Sequence, residues 1–193
     1  MKKFGKLLSL FLSVCMIASS FTFTVFAEET SGTCGEGATW TLDADGNLVI
    51  SGEGAMEDNY NEWGTDIKSV VIGDSITHIG ESAFKYCYAL ESVTIGKSVE
   101  SIGRYAFSCC EALEQVVIPD SVVRIGDLAF DSCESLKDVS FGSGVNEIGE
   151  FVFDFCEAIE TITVSPLNET FHSSGNCLIE TEAKTLVRGC INS

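Results

Sequence analysis

The sequence predicts a solenoid of stacked coils, mostly β with short helical turns, and three observations carry that prediction. A unit of 23 residues occurs four times without a gap, at Ile67–Ala89, Leu90–Ala112, Leu113–Ser135 and Leu136–Ala158, and a fifth copy begins at Ile159. Matching residues fall in columns: Val70, Val93, Val116 and Val139; Ile79, Ile102, Ile125 and Ile148; Gly80, Gly103, Gly126 and Gly149; Phe84, Phe107, Phe130 and Phe153; Cys87, Cys110, Cys133 and Cys156. Between the columns the polar residues change, as they do where coils share a core and differ at the surface. One unit cannot fold alone. Its about six sizeable apolar side chains contribute roughly 1.5–3 kcal/mol each when buried, against an ordering cost on the order of 1–2 kcal/mol for every residue. Stacking covers each column with its neighbours, so the copies succeed together.

Residues 1–27 form the first element. Lys2, Lys3 and Lys6 precede an apolar run from Leu7 through Phe26, and Val25-Phe26-Ala27 ends on a small residue. This is the pattern of a secretory signal peptide. Glu28 and Glu29 follow at once, which argues against a membrane-spanning helix. A lipoprotein reading of Cys15 meets a bulky Val14 where a small residue is expected. Removing the leader takes away three of the 11 basic residues and none of the 29 acidic ones, moving the net charge from −18 to −21. Lys and Arg are scattered singly, so nucleic acid is not an expected partner.

Residues 28–66 differ from the repeat and read as a β cap. Thr39-Trp40-Thr41-Leu42 and Leu48-Val49-Ile50-Ser51-Gly52 are β-prone runs separated by Asp43-Ala44-Asp45-Gly46-Asn47, the description of a hairpin. The Asp-rich segment resembles the start of a calcium loop, but its Gly comes two positions early and no Glu follows at the right offset. A turn is the better reading. Tyr60 and Trp63 are expected in the core of the cap.

Residues 67–158 are the four repeats. Each begins with a strand, such as Leu90-Glu91-Ser92-Val93-Thr94-Ile95, whose apolar residues alternate with polar ones. Pro119 and Gly73, Gly96 and Gly142 end this strand. A short second strand closes on the Gly column, expected to permit a sharp turn, and Ala-Phe-x-x-Cys is expected as a helical turn with Phe and Cys on one face. Residues 159–193 begin as a fifth, variant repeat; its closing β-hairpin is what resemblance to a known repeat family implies.

Eight of the nine cysteines follow the leader, which in an exported protein raises the question of disulfides. In-register side chains on parallel rungs about 4.8 Å apart hold their Cβ atoms beyond the usual ~3.8 Å of a disulfide. The column of Cys87, Cys110, Cys133 and Cys156 is therefore expected as buried thiols. Cys109, one residue off the column, is expected to be exposed. Cys177 and Cys190 flank the predicted hairpin and are the candidate bridge. No Cys-x-x-Cys or Cys/His spacing suggests zinc, and no cofactor is implied. His78 shares a column with Ser101, Arg124 and Glu147 and reads as a variable surface residue. His172 beside Ser173 and Ser174 lacks a G-x-S-x-G turn, so no catalytic residue is assigned.

The first-strand sheet is the place to look for a binding surface. Its outward positions include Lys68, Val71, Glu91, Thr94, Glu114, Val117, Lys137, Ser140, Glu160 and Thr163. They vary while the core columns hold, giving a grid suited to an extended protein partner.

Ile118-Pro119-Asp120-Ser121-Val122-Val123-Arg124-Ile125-Gly126-Asp127-Leu128-Ala129-Phe130 resembles the repeat of the BspA-like, Treponema-type leucine-rich-repeat family of bacterial surface proteins. The resemblance covers all four copies, and Ser31-Gly32-Thr33-Cys34-Gly35 with Ile50-Ser51-Gly52-Glu53-Gly54 is similar to the cap that precedes such repeats. It implies a leucine-rich-repeat solenoid in a secreted or cell-surface, non-enzymatic, adhesin-like protein with an extracellular or host protein as partner. The alternative is a structural spacer whose anchor or enzymatic domain lies beyond Ser193. Oligomeric state is left open.

Overall fold

The computed structural model describes residues 30–175 and 177–189. The expected leader, Glu28, Glu29 and Cys190 lie outside the described residues. The cap contributes β1 (Thr30–Thr33), β2 (Ala38–Leu42), β3 (Asn47–Gly52) and β4 (Gly54–Ala55). The repeats contribute alternating first and second strands: β5 (Ser69–Ile72), β6 (Ile76–Ile79), β7 (Ser92–Thr94), β8 (Ser101–Ile102), β9 (Gln115–Ile118), β10 (Arg124–Ile125), β11 (Asp138–Phe141), β12 (Glu147–Ile148) and β13 (Thr161–Val164). The chain finishes as β14 (Phe171–Ser174), β15 (Cys177–Glu180) and β16 (Thr185–Gly189).

The cap is the expected hairpin. β2 and β3 pair antiparallel with Trp40 opposite Ile50, and β3 then pairs parallel with β5, matching Leu48 to Val70 and Ile50 to Ile72. The hairpin thus covers the first rung and supplies inward side chains in register with the repeat columns. The Asp43 carboxylate accepts hydrogen bonds from the Asp45 and Asn47 N–H groups and from Asn47 Nδ2 at 3.0, 2.8 and 2.9 Å. These bonds, the Asn47 side chain first, hold its pKa below the ordinary carboxylate value. The carboxylate closes the turn, as the turn reading expects.

The second strands form one sheet in the order β12-β10-β8-β6-β4. The first strands do not. They divide into β1-β2-β3-β5-β7 and β13-β11-β9, with a break between β7 and β9 where a regular sheet was expected. β7 stops at Thr94, before Ile95, whose column partners Ile72, Ile118 and Phe141 lie within their strands. Val93 and Ile95 are only half-buried, whereas Val70, Ile72, Val116 and Ile118 are buried. A strand that sits less deeply in the core loses its ladder to the next rung.

Between second strand and next first strand, the Ala-Phe-x-x-Cys arc was expected to be helical, and it is a run of turns instead; no helix occurs among the described residues. Ser82, Tyr86, Tyr105, Cys109, Leu128, Ser132, Phe151 and Phe155 all have φ between 53° and 67°. This left-handed conformation, uncommon for bulky residues, recurs at the same two arc positions in all four coils. It turns alternate N–H groups in different directions. In the first coil Ala83, Lys85 and Cys87 donate within the coil to Gly80, Ser82 and Phe84, while Ser82, Phe84 and Tyr86 donate to the next coil at Arg104, Ala106 and Ser108. A helix would keep every such bond inside its own coil.

The Gly column serves a different purpose from the one expected. Gly103 does not have a positive φ, but a Cβ there would lie 2.6 Å from the Glu81 nitrogen and 2.8 Å from the Gly80 carbonyl carbon of the preceding coil. The requirement is close approach between coils. Inside, Trp63, Phe84, Phe107, Phe130 and Phe153 stack in succession with centroid spacings of 5.3, 5.1, 5.2 and 5.6 Å. Trp63 is buried and donates through Nε1 to the Ala83 carbonyl at 3.2 Å, so it begins the aromatic column from the cap.

Candidate protein-interaction face

Register on the first strands aligns the outward side chains. Val49 lies opposite Val71 and Val71 opposite Thr94; beyond the break, Val117 lies opposite Ser140 and Ser140 opposite Thr163. Val71 is 44% exposed and Val117 63%. Alternation explains this: β5 and β9 each bury one residue, expose the next and bury the one after. Burying such valines recovers about 25 cal/mol for each Å² removed from water.

A charged margin runs along the strand starts, where Lys68, Glu91, Glu114, Lys137 and Glu160 are all exposed. Lys137 Nζ approaches Glu114 Oε1 at 3.4 Å, with both side chains well solvated. Such a pair contributes little to stability. Within the face, the Ser140 and Thr163 hydroxyls share a 2.8 Å hydrogen bond. All ten sequence-assigned positions therefore lie on one side of the solenoid, Ser140 partly buried and the others exposed. They occupy two sheet segments with a seam between Thr94 and Val117.

The second sheet carries a groove lined by Asp58, His78, Ser101, Arg104, Arg124 and Glu147. His78 is not a free surface residue. Its Nδ1 is 2.7 Å from Ser101 Oγ and its Nε2 3.6 Å from Asp58 Oδ1, while Arg124 Nε donates to Glu147 Oε2 at 2.8 Å. Asp58, His78 and Ser101 belong to three successive rungs, and the 23-residue period sets His78 beside Ser101. Their arrangement orders a serine, a histidine and a carboxylate, but Ser101 sits within β8, a strand paired on both sides. A nucleophile needs donors aimed at a developing oxyanion, and a flat strand paired on both sides is a poor place to gather them.

Cys87, Cys110, Cys133 and Cys156 are buried free thiols, as expected. Cys110, Cys133 and Cys156 donate through Sγ to the carbonyls of Phe84, Phe107 and Phe130 at 3.3, 3.3 and 3.0 Å. Burial pushes the Cys87 thiol up to about 12. Contact with the neighbouring thiol, then burial, raises Cys133 and Cys156. Cys34 of the cap is also buried, and burial followed by the nearby Glu57 carboxylate takes it up to about 11. Cys109 is half-buried rather than exposed, and its Sγ lies 3.6 Å from Ser108 Oγ. Cys177 lies on β15, half-buried; its expected partner Cys190 is outside the described residues. Among the described residues, no group of three or more His, Cys, Asp or Glu side chains could hold a metal ion. No helix among them is long and apolar enough to cross a membrane.

Similarity to known proteins follows the geometry. Six copies of the BspA type leucine-rich repeat region match residues 57–177. No curated protein matches the chain. A leucine-rich repeat protein from Eubacterium ventriosum superposes with a TM-score of 0.63 at 24% identity, over 84% of this chain and 51% of that one. The T. pallidum leucine-rich repeat protein superposes with a TM-score of 0.55 at 22% identity, over 74% of this chain and 71% of that one. One from Bacteroides ovatus gives 0.51 at 23% identity, over 60% and 36%. These likenesses show the fold, and this chain spans about half the length of the Eubacterium protein. With six repeat matches covering more than half of its residues, the chain belongs to the BspA-type leucine-rich-repeat family, whose repeats form protein-interaction scaffolds.

Proposed function

We propose that the protein is an exported, non-catalytic interaction module of adhesin type, acting in secreted form or at the cell surface and gripping an extracellular protein on the outward face of its first strands. The observation that supports this reading is the exposure of Val71 and Val117, one on each of the two sheet segments of this face, beside the charged margin along the strand starts. Apolar centres with a polar border are the general anatomy of protein interfaces. Residues 1–27 are read as the export signal, 28–66 as the cap, 67–158 as the repeats and 159–193 as the closing unit.

The test is binding of the mature chain, Glu28–Ser193, to immobilised extracellular-matrix proteins, mucins and bacterial surfaces at physiological salt. Saturable binding that disappears in the combined Glu91→Lys, Glu114→Lys, Glu160→Lys variant, with an unchanged circular-dichroism spectrum, supports the face. Binding that survives those changes moves the interaction elsewhere. A folded sample that binds none of the surfaces favours the alternative, a spacer that positions another domain.

A further inference from the structure

The arcs are joined by a ladder that runs in one direction. Ser82, Phe84 and Tyr86 donate to Arg104, Ala106 and Ser108 of the next coil at 2.9, 2.8 and 2.9 Å. Tyr105, Phe107 and Cys109 donate to Asp127, Ala129 and Asp131 at 3.0, 2.8 and 2.8 Å, and Leu128, Phe130 and Ser132 donate to Glu150, Val152 and Asp154 at 2.9, 2.9 and 2.8 Å. The equivalent donors of the fourth coil are Phe151, Phe153 and Phe155. After β13 the chain turns into the β14-β15-β16 hairpins, and among the described residues no fifth arc lies over them. Among the described residues no carbonyl accepts from these three N–H groups. Their geometry is nevertheless that of the occupied rows, since Phe151 and Phe155 have φ of 57° and 53°.

Two further observations fall at this edge. A cleft of about 350 Å³ opens between the arc residues Phe151–Asp154 and Val187 and Arg188 of β16. Arg188 lines it, donating through Nη2 to the Cys156 carbonyl at 3.0 Å, while its buried Nε has no acceptor among the described residues. Phe151 and Phe155 are 62% and 63% exposed, more than any of their column partners: Ser82, Tyr105, Leu128, Cys109 and Ser132 are half-buried, and Tyr86 is 45% exposed.

Four donors and two exposed rings ask for oxygen acceptors with apolar flanks. Glu150 and Asp154 line the same cleft and outnumber the single guanidinium of Arg188, and the chain is acidic, so a carboxylate or phosphate would meet net like charge, whereas a neutral carbonyl oxygen would not. Three coils of this molecule already show the complementary group: a main chain presenting carbonyls at alternate residues. We propose that the C-terminal end of the solenoid captures the main chain of a partner protein's peptide segment. Three alternate carbonyls accept from Phe151, Phe153 and Phe155, a further carbonyl accepts from Arg188 Nε, and apolar side chains four residues apart cover Phe151 and Phe155. It is strand addition carried out on an arc edge in place of a strand edge.

The experiment uses the ¹⁵N-labelled mature chain and a synthetic peptide of residues Ser121–Ser135, the arc that fills the same three donors in the second coil. In the free chain, the Phe151, Phe153 and Phe155 amides should exchange at least about tenfold faster than those of Leu128, Phe130 and Ser132. Peptide should shift and protect those three amides and the Arg188 Nε signal with a Kd of about 1 mM or tighter. Phe151→Glu with Phe155→Glu should abolish the shifts without lowering the melting temperature; if that variant fails to fold, Arg188→Gln replaces it and should weaken binding severalfold. Three results would overturn the proposal: amides already protected in the free chain, which gives the edge to the chain's own residues; protection that grows with protein concentration alone, which gives it to a second copy; and no shift at saturating peptide.

Discussion

On the second sheet the outward row is made of charged and polar side chains bonded to one another, whereas on the first the bonded pairs Ser69–Asn47, Lys137–Glu114 and Ser140–Thr163 stand beside valines open to solvent. Asp58, His78 and Ser101 form one chain of contacts and Arg124 and Glu147 another. A partner docking there must displace or desolvate those bonds, and an ion pair that loses its solvent is costly unless equally good contacts replace it. On the first sheet, Val71 and Val117 can only gain from being covered. The solenoid thus carries bonded charged groups on one face and exposed valines set among hydroxyls on another. A binding surface in a repeat protein is recognisable by what the chain has not already paired.

Both faces rest on one hydrophobic core, and the largest predicted effect tests that unity. Phe107 stacks between Phe84 and Phe130 at 5.1 and 5.2 Å and is fully buried. Phe107→Ala should cost about 3–5 kcal/mol, read by urea denaturation as one transition in which both sheets are lost together. Two separated transitions would mean that the faces belong to independent units.

A second test concerns the thiols packed within that core. Cys87 ionises at about 12 in the fold against an ordinary value of 9.0, and Cys34 at about 11. Below the unfolded value both states keep the proton, and the contribution is fully present. Above it the unfolded chain releases protons that the folded chain retains, so stability falls. The expected slope is about 1.4 kcal/mol per pH unit for each such thiol once the unfolded one is ionised. Thermal melts should therefore show stability declining from pH 9 towards 11, less steeply in Cys87→Ala. A flat profile across that range would contradict the burial of these thiols.

The sequence made the core legible because every core position is repeated: the Phe, Cys and Ile columns, the cap hairpin and the outward grid all follow from period and alternation. It misled where the backbone departs from ordinary preferences. Ser82, Tyr105, Leu128 and Phe151 are not left-handed formers, so nothing in their identity announces positive φ, and Ala-Phe-x-x-Cys spacing fits a helix as well as a turn. The break after β7 has no counterpart in the columns, since Val93 and Ile95 match theirs in type. The Asp58, His78 and Ser101 contacts were within reach: His78 and Ser101 are one period apart, and adjacent rungs of a parallel stack place such residues side by side. The open edge at Phe151, Phe153 and Phe155 required knowing where each N–H points.

Changes confined to one face sharpen the contrast with smaller effects. Val71→Lys with Val117→Lys should leave the unfolding midpoint within about 0.5 kcal/mol of the parent and weaken partner binding at least about tenfold, measured by surface plasmon resonance against whichever surface the mature chain binds. Loss of stability comparable to the loss of binding would mean that these valines belong to the core.

The smallest effect lies on the other face. Arg124 and Glu147 are both more than half exposed, so a double-mutant cycle through Arg124→Ala and Glu147→Ala should give a coupling of about 0.2–1 kcal/mol, reduced by added salt. Neither change should alter partner binding. If Arg124→Ala abolished binding while Val71→Lys with Val117→Lys did not, the roles of the two faces would be reversed. The partner would then recognise a charged groove, because an apolar row can lose affinity only when something covers it, and a paired arginine can matter to a ligand only when that ligand takes over its carboxylate's place.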